Sequence, residues 1–267
     1  HVWDHRGSNN PYKFDEDVPY NKNDWNHFNS IHLNNNNDKI YLSSRTWSEF
    51  YIIDYGGDSD ILYRWGNPQN YGRGDAEDQI LDANHGVNEI SSGFPGENNI
   101  IIFNNRTFVT GGDNPYSSVI EIVPPVDENG NYFIEDGEAF GPNEIFWEYQ
   151  DGSFYANKQS GAFRLENGNT LITDADSALI FEVSIDGDVV WEYQGSGSQI
   201  NRAQKYSVNY LSIAGDVNSD NIINILDVVQ LVNFILNGGS YNSIFDINID
   251  SQINILDVVS IINIILS

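Results

Sequence analysis

The chain holds five histidines, His1, His5, His27, His32 and His85, all within its first 85 residues. Two of them bracket an arginine. His27 sits in Asp24-Trp-Asn-His-Phe-Asn-Ser-Ile31, Arg45 closes Ser43-Ser-Arg, and His85 follows Asp82-Ala-Asn84. An imidazole near neutral pH can attack an electrophile or carry a proton. A guanidinium and a second imidazole can hold negative charge on oxygen. The set therefore suits chemistry on a small oxyanion. Each residue alone has a plainer reading: a single His beside an aromatic ring is ordinarily packed or half-exposed, and a single Arg ordinarily makes a surface ion pair. The elements that carry the three residues decide whether they converge.

Over residues 1–212 those elements read as β-strands. Short apolar or alternating runs recur between Gly, Asn and Asp clusters, among them Phe28–Leu33, Lys39–Ser43, Phe50–Asp54, Ile61–Trp65, Asn99–Phe103, Val119–Val123, Ile145–Tyr149, Thr170–Thr173, Leu179–Val183 and Val189–Tyr193. Glu166-Asn-Gly-Asn169 and Asp186-Gly187 have hairpin length and hairpin chemistry. A weak repeat ends several units on Trp: Val2-Trp-Asp4, Tyr63-Arg-Trp65, Phe146-Trp-Glu-Tyr149 and Val190-Trp-Glu-Tyr193. The cleanest unit, 161–193, packs four strands into roughly 35 residues, the size of a propeller blade. Units 28–65 and 86–149 give two more blades, and residues 1–5 the end of a fourth. Three or four blades are too few to close a ring without further blades upstream or a partner chain, and the open side is expected to expose strand edges. A β-sandwich with coincidental Trp residues is the competing fold. In the propeller, His27 begins a first strand, Arg45 follows the second, and His85 begins the first strand of the next blade, so all three face one central pocket.

Residues 213–267 form a separate domain built on a second oxygen-rich pattern. Asp216, Asn218, Asp220, Asn224 and Asp227 recur as Asp246, Asn248, Asp250, Asn254 and Asp257, at loop positions 1, 3, 5, 9 and 12. That spacing wraps hard oxygen ligands around a calcium ion, and the backbone carbonyls of Ile222 and Gln252 at position 7 complete each set. Two structural Ca2+ sites are expected. Each loop feeds an apolar, helix-spaced run whose inner face can pack on its twin. Position 6 is Asn221 in one loop and Ser251 in the other, and Ser fits the left-handed turn less well, so the second site is expected to be weaker.

The bulk composition narrows the setting. With 39 Asp and Glu against 12 Lys and Arg, the net charge is −27, which argues against nucleic acid and anionic membrane surfaces. There is no Cys, hence no disulfide framework, and no Met at position 1 or elsewhere, so a processed product or fragment is expected, with a signal peptide lost upstream. No apolar run has the length of a membrane span.

The paired loops resemble a type I dockerin over about 50 residues. The resemblance implies a paired EF-hand-like fold that forms on calcium and docks secreted proteins onto cohesin modules. Where dockerins often carry polar residues at positions 10 and 11, this chain has Ile225-Leu226 and Ile255-Leu256. A cohesin-like partner, self-association and packing on the chain's own β domain all stay open. The His27 motif, Ser43-Ser-Arg45 and Asn84-His85, with Trp3-Asp-His5, Asn167-Gly-Asn-Thr-Leu-Ile172 and Asn201-Arg-Ala-Gln-Lys-Tyr-Ser207, resemble the bacterial secreted arylsulfotransferases. That family's fold is a six-bladed propeller, and its enzymes move a sulfuryl group from a phenolic sulfate ester to a phenol without a nucleotide cofactor. By resemblance, His85 is the histidine that becomes sulfated, and His27 and Arg45 hold the sulfuryl oxygens. A further family histidine has no clear counterpart here; His5 is a substitute candidate.

Three functions follow for a secreted, extracellular or periplasmic protein of bacterial type. The first is aryl sulfate sulfuryl transfer. The second is a non-catalytic propeller used for binding or display and tethered through the calcium module. The third is a structural subunit whose blade edges pair between chains.

Overall fold

The computed structural model describes residues 10–14, 24, 26–34, 37–57, 60–106, 115–152, 154–206, 213–220 and 222–266. His1, the Val2–Asp4 segment, His5, Trp25, Ser207 and Asn221 lie outside them. The chain divides into two units between Gln204 and Lys205, each with its own core.

The first unit is three antiparallel four-stranded sheets. They comprise β1 (Phe28–Asn34), β2 (Lys39–Ser44), β3 (Glu49–Asp54) and β4 (Ile61–Trp65); β5 (His85–Glu89), β6 (Ile100–Asn104), β7 (Ser118–Ile122) and β8 (Trp147–Tyr149); and β9 (Gly161–Arg164), β10 (Thr170–Asp174), β11 (Leu179–Val183) and β12 (Val189–Gln194). Within each sheet the strands pair in chain order. The short turns make this possible: Gly168 and Gly187 take φ of 87° and 89°, where a side chain would be strained. The first strands of the sheets are neighbours, with β5 lying against both β1 and β9.

Side-chain alternation explains how the sheets stack. On β6, Ile100 and Ile102 enter the core shared with the first sheet, while Ile101 and Phe103 enter the core shared with the third. The middle sheet is covered on both faces, so β6 is apolar from Ile100 to Phe103 rather than alternating. On β3, Phe50 and Ile52 join the first of these cores, and Tyr51 and Ile53 pack with Phe14 and Trp47 on the opposite face.

Two buried ion pairs lock the strands. Arg64 on β4 makes a two-pronged contact with Glu49 on β3, at 2.9 and 2.6 Å. Arg164 on β9 reaches across to Glu121 on β7, joining the third sheet to the second. At the far edge β12 is exposed along its whole length, and Val189, Val190, Trp191 and Tyr193 are each about half accessible.

The second unit contains two helices, α1 (Ile225–Asn237) and α2 (Ile255–Leu266). Val228 and Leu231 on α1 and Val258 and Ile261 on α2 occupy matching positions and meet Val217 and Phe245 in one core. α1 ends on Gly238 in the left-handed conformation at φ 64°, whose N–H closes onto Ile235 and Phe234 carbonyls. Each helix begins at position 10 of its loop, earlier than the apolar run alone implies, which places Asp227 and Asp257 inside the first helical turn.

Candidate functional sites

His85 opens β5 and is almost fully buried. Its surroundings fix it from several directions. The carbonyl of the preceding Asn84 accepts from Asn29 Nδ2 on β1 (2.7 Å) and Ser43 Oγ on β2 (3.2 Å). The Asn84 amide donates to Ser43 Oγ and to the Glu49 carbonyl. The imidazole Nδ1 faces two oxygens, Asn105 Oδ1 at 2.7 Å and the Ala83 carbonyl at 3.0 Å. Asn105 cannot turn its amide around, because its Nδ2 already donates to the Ala156 and Gln159 carbonyls. Nδ1 therefore faces only acceptors and carries the proton, which leaves the lone pair on Nε2.

Burial pushes the His85 pKa down to about 4, the hydrogen bonds to Asn105 and Ala83 oppose that fall, and the charges of Arg45 and His27 add to it. The ring is thus neutral at neutral pH, and both sequence partners are close enough to act on it. They are also tied to each other, since the Arg45 N–H donates to the His27 carbonyl (3.1 Å). His27 has a left-handed φ of 38°, and its Nδ1 lies 2.8 Å from Asp24 Oδ2. Arg45 is half-buried, and among the described residues no carboxylate pairs with its guanidinium. His85 Nε2, the Arg45 guanidinium and the His27 imidazole thus share a neighbourhood beside the ends of β1, β2 and β5. Asn105 was not legible as a functional residue, because a single Asn after a strand has no spacing signal. Asn29, half-buried and with a shielded Oδ1 that has no partner among the described residues, was hidden within the His27 motif.

The two loops of the second unit repeat each other's geometry. Asp220 N–H donates to Asp216 Oδ1 (3.0 Å) and Asn218 Oδ1 (2.9 Å); Asp250 N–H donates to Asp246 Oδ1 and Asn248 Oδ1 (both 3.1 Å). The oxygens of positions 1 and 3 therefore converge. Asp227 and Asp257 are fully buried. Asp227 Oδ1 accepts from Val217 and Asn218 N–H, and Oδ2 from Asn224 N–H; Asp257 does the same with Ile247, Asn248 and Asn254.

Position 9 behaves differently from the expected ligand. Asn224 Oδ1 accepts from Leu226 N–H and Asn254 Oδ1 from Leu256 N–H, each at 2.8 Å. These side chains cap the helices, so a calcium ion would meet them only through water, as position 9 of such loops often does. Asp216, Asn218, Asp220, the Ile222 carbonyl and Asp227 would offer the direct oxygens, and Asp246, Asn248, Asp250, the Gln252 carbonyl and Asp257 would match them.

Charge shows that this donor set fits a cation. From residue 206 to the end there is no Lys, Arg or His, and the six carboxylates there are Asp216, Asp220, Asp227, Asp246, Asp250 and Asp257. The segment has no base of its own to offset them. Among the described residues no three His, Cys, Asp or Glu side chains form a metal cluster unaided; the sets rely on Asn side chains and carbonyls, the hard oxygen ligands calcium prefers.

Residues 214–266 match the dockerin type I domain. Such domains bind calcium and cohesins and occur in extracellular proteins. No curated protein matches the chain. Among solved structures, the chain is similar to a protein of unknown function from Bacteroides caccae (13% identity, 68% of this chain and 50% of that one, TM-score 0.38). It is similar also to virginiamycin B lyase from Staphylococcus aureus (11%, 62% and 40%, 0.34). A third is the Cps50 (Swd1) β-propeller domain from Myceliophteria thermophila (12%, 66% and 45%, 0.41). The chain spans half or less of the length of these three. No helix among the described residues is long and apolar enough to cross a membrane.

Proposed function

We propose that this is an extracellular protein tethered through its C-terminal module, which takes up two calcium ions and docks onto a cohesin-like partner. The dockerin match over 214–266 carries this reading, and the base-free set of six carboxylates supports it. Ile225, Leu226 and Val229 on one helix and Ile255, Leu256 and Val259 on the other are exposed at matching positions. The docking face would thus be apolar and present twice. Mixing the calcium-loaded chain with a panel of cohesin modules should give a complex that chelator dissolves. Calcium-driven self-association with no cohesin complex would replace docking by the structural-subunit reading.

For the β unit we infer blades of a β-propeller that transfer a sulfuryl group between phenols. One observation favours this over a propeller used only for display: Arg45 and His27 both act on a buried, neutral His85 whose Nδ1 proton is held by Asn105. In this reading His85 Nε2 forms a bond to sulfur as the aryl oxygen–sulfur bond breaks, and the phenolate leaves with the electron pair. Arg45 and His27 would hold the sulfuryl oxygens, so positioning and charge stabilisation dominate. The acceptor oxygen then bonds to sulfur, the nitrogen–sulfur bond breaks, the acceptor proton passes to water, and neutral His85 returns. A chromogenic aryl sulfate with phenol should turn over, and His85→Asn should abolish the reaction. A folded, calcium-loaded chain with no turnover would leave the tethered, non-catalytic propeller.

A further inference from the structure

Three backbone stretches crowd together beside His85. A Cβ on Gly86 would lie 2.9 Å from the Gly161 Cα, and a Cβ on Gly161 would lie 2.8 Å from Arg202 Cδ and 3.1 Å from its Cγ. Two glycines thus let the Arg202 stem pass over the start of β9, one residue layer from β5. The segment is pinned on both sides: Ser160 N–H donates to the Asn201 carbonyl (2.9 Å), and Ala203 N–H to Thr173 Oγ1 (3.0 Å). The guanidinium lies over the Phe163 ring, 5.7 Å from its centroid. Its charge also reaches His32 on β1.

Arg202 is exposed, and among the described residues it pairs with no carboxylate. Arg45, Arg73 and Arg106 likewise pair with no carboxylate among the described residues; what sets Arg202 apart is the path of its stem over the start of β9 and the Phe163 ring beside it. Arg64 and Arg164 are each paired with a buried Glu and hold strands together. Arg202 lies instead in the irregular segment beside the start of β9, with no carboxylate partner among the described residues and the Phe163 ring beneath it, an arrangement that takes a flat anion well.

We propose that Arg202 selects substrates at the His85 site by holding a second anionic substituent, a carboxylate or sulfonate, on the ring of the aryl sulfate donor or the phenol acceptor. This rests on the sulfuryl-transfer reading, in which Arg45 serves the transferring group and Arg202 the far end of the ring.

The test uses the full calcium-loaded chain. Donor arms compare 4-nitrophenyl sulfate with 4-carboxyphenyl sulfate, and acceptor arms compare phenol with 4-hydroxybenzoate. The wild type should favour the carboxylated partner in at least one arm, and the arm identifies which substrate carries the charge. In Arg202→Gln the preference, as a ratio of kcat/KM values, should fall roughly tenfold, chiefly through KM, as for loss of one charge-assisted hydrogen bond. Arg202→Lys should recover part of it. An unchanged ratio in Arg202→Gln, or no preference in the wild type, overturns the role of Arg202 while turnover itself upholds the transfer reading. Calorimetric binding of 4-carboxyphenyl sulfate separates the remaining cases. Arg202-dependent binding without turnover overturns transfer and supports Arg202 as an anion holder; no binding and no turnover overturns both.

Discussion

Replacing Asn224 and Asp227 one at a time separates a helix cap from a calcium ligand. Asp227 is fully buried, and its two oxygens accept three backbone N–H groups at 2.8, 3.1 and 2.8 Å. Asp227→Ala leaves those donors without partners, at roughly 1–3 kcal/mol for the buried Val217 N–H and toward the lower end of that range for the half-buried Asn218 and Asn224 N–H groups, and it would remove a direct ligand. A total of about 4 kcal/mol matches all the stability that a core of this size supplies. The module should therefore lose its helices without calcium and regain them only at far higher calcium. Asn224 Oδ1 accepts one N–H, that of Leu226, as an N-cap. Asn224→Ala should cost about 1 kcal/mol whether or not calcium is present. Circular dichroism melts and calorimetric calcium titrations of the full chain report both quantities. A tenfold loss of calcium affinity in Asn224→Ala with an unchanged calcium-free melt would refute the capping assignment and restore Asn224 as a ligand.

Other outcomes follow from the same geometry. The His85 pKa lies near 4 in the folded chain against 6.5 for an ordinary histidine. The acid limb of kcat/KM should therefore fall near pH 4, not near 6.5, and a limb at the ordinary value would contradict a buried neutral imidazole. In stability the sign is that of a depressed group: its contribution is complete above pH 6.5 and is lost as pH falls toward 4, by about 3 kcal/mol at most. Denaturant unfolding across that window should be flatter in His85→Asn. Ile249, at loop position 4, is β-branched, exposed and left-handed at φ 60°. Ile249→Asn should relieve about 1 kcal/mol of strain and raise calcium affinity at the second loop several-fold, read by calorimetry; an unchanged affinity would show that the loop holds no such strain.

Much of this arrangement was legible from residue order, and the remainder was hidden for identifiable reasons. Of the twelve strands among the described residues, ten follow the apolar runs bounded by turn residues, with ends shifted by at most two positions, because alternation marks a face more sharply than an end; β5 and β9 lay outside those runs. The three landmarks His27, Arg45 and His85 could be placed at strand starts and ends, since a meander fixes where each strand returns. The loop carboxylates were legible because ligand spacing repeats. Position 9 was ambiguous because Asn serves equally as a calcium ligand and as a helix cap, and the helix start at position 10 adds the capping role. Asn105 carried no signal of its own, since its hydrogen bond to His85 joins distant parts of the chain; Arg202 lay inside the Asn201–Ser207 motif, but the close-packed Gly86 and Gly161 that bring its stem beside β9 leave no local pattern.

The most direct measurement is mass mapping of the chain after rapid quenching with an aryl sulfate and no acceptor. The account predicts the added mass of one sulfuryl group on the peptide containing His85, discharged when phenol is supplied and missing in His85→Asn. A folded, calcium-loaded chain that acquires no such group, or acquires it on another residue, would contradict the assignment of His85 as the nucleophile.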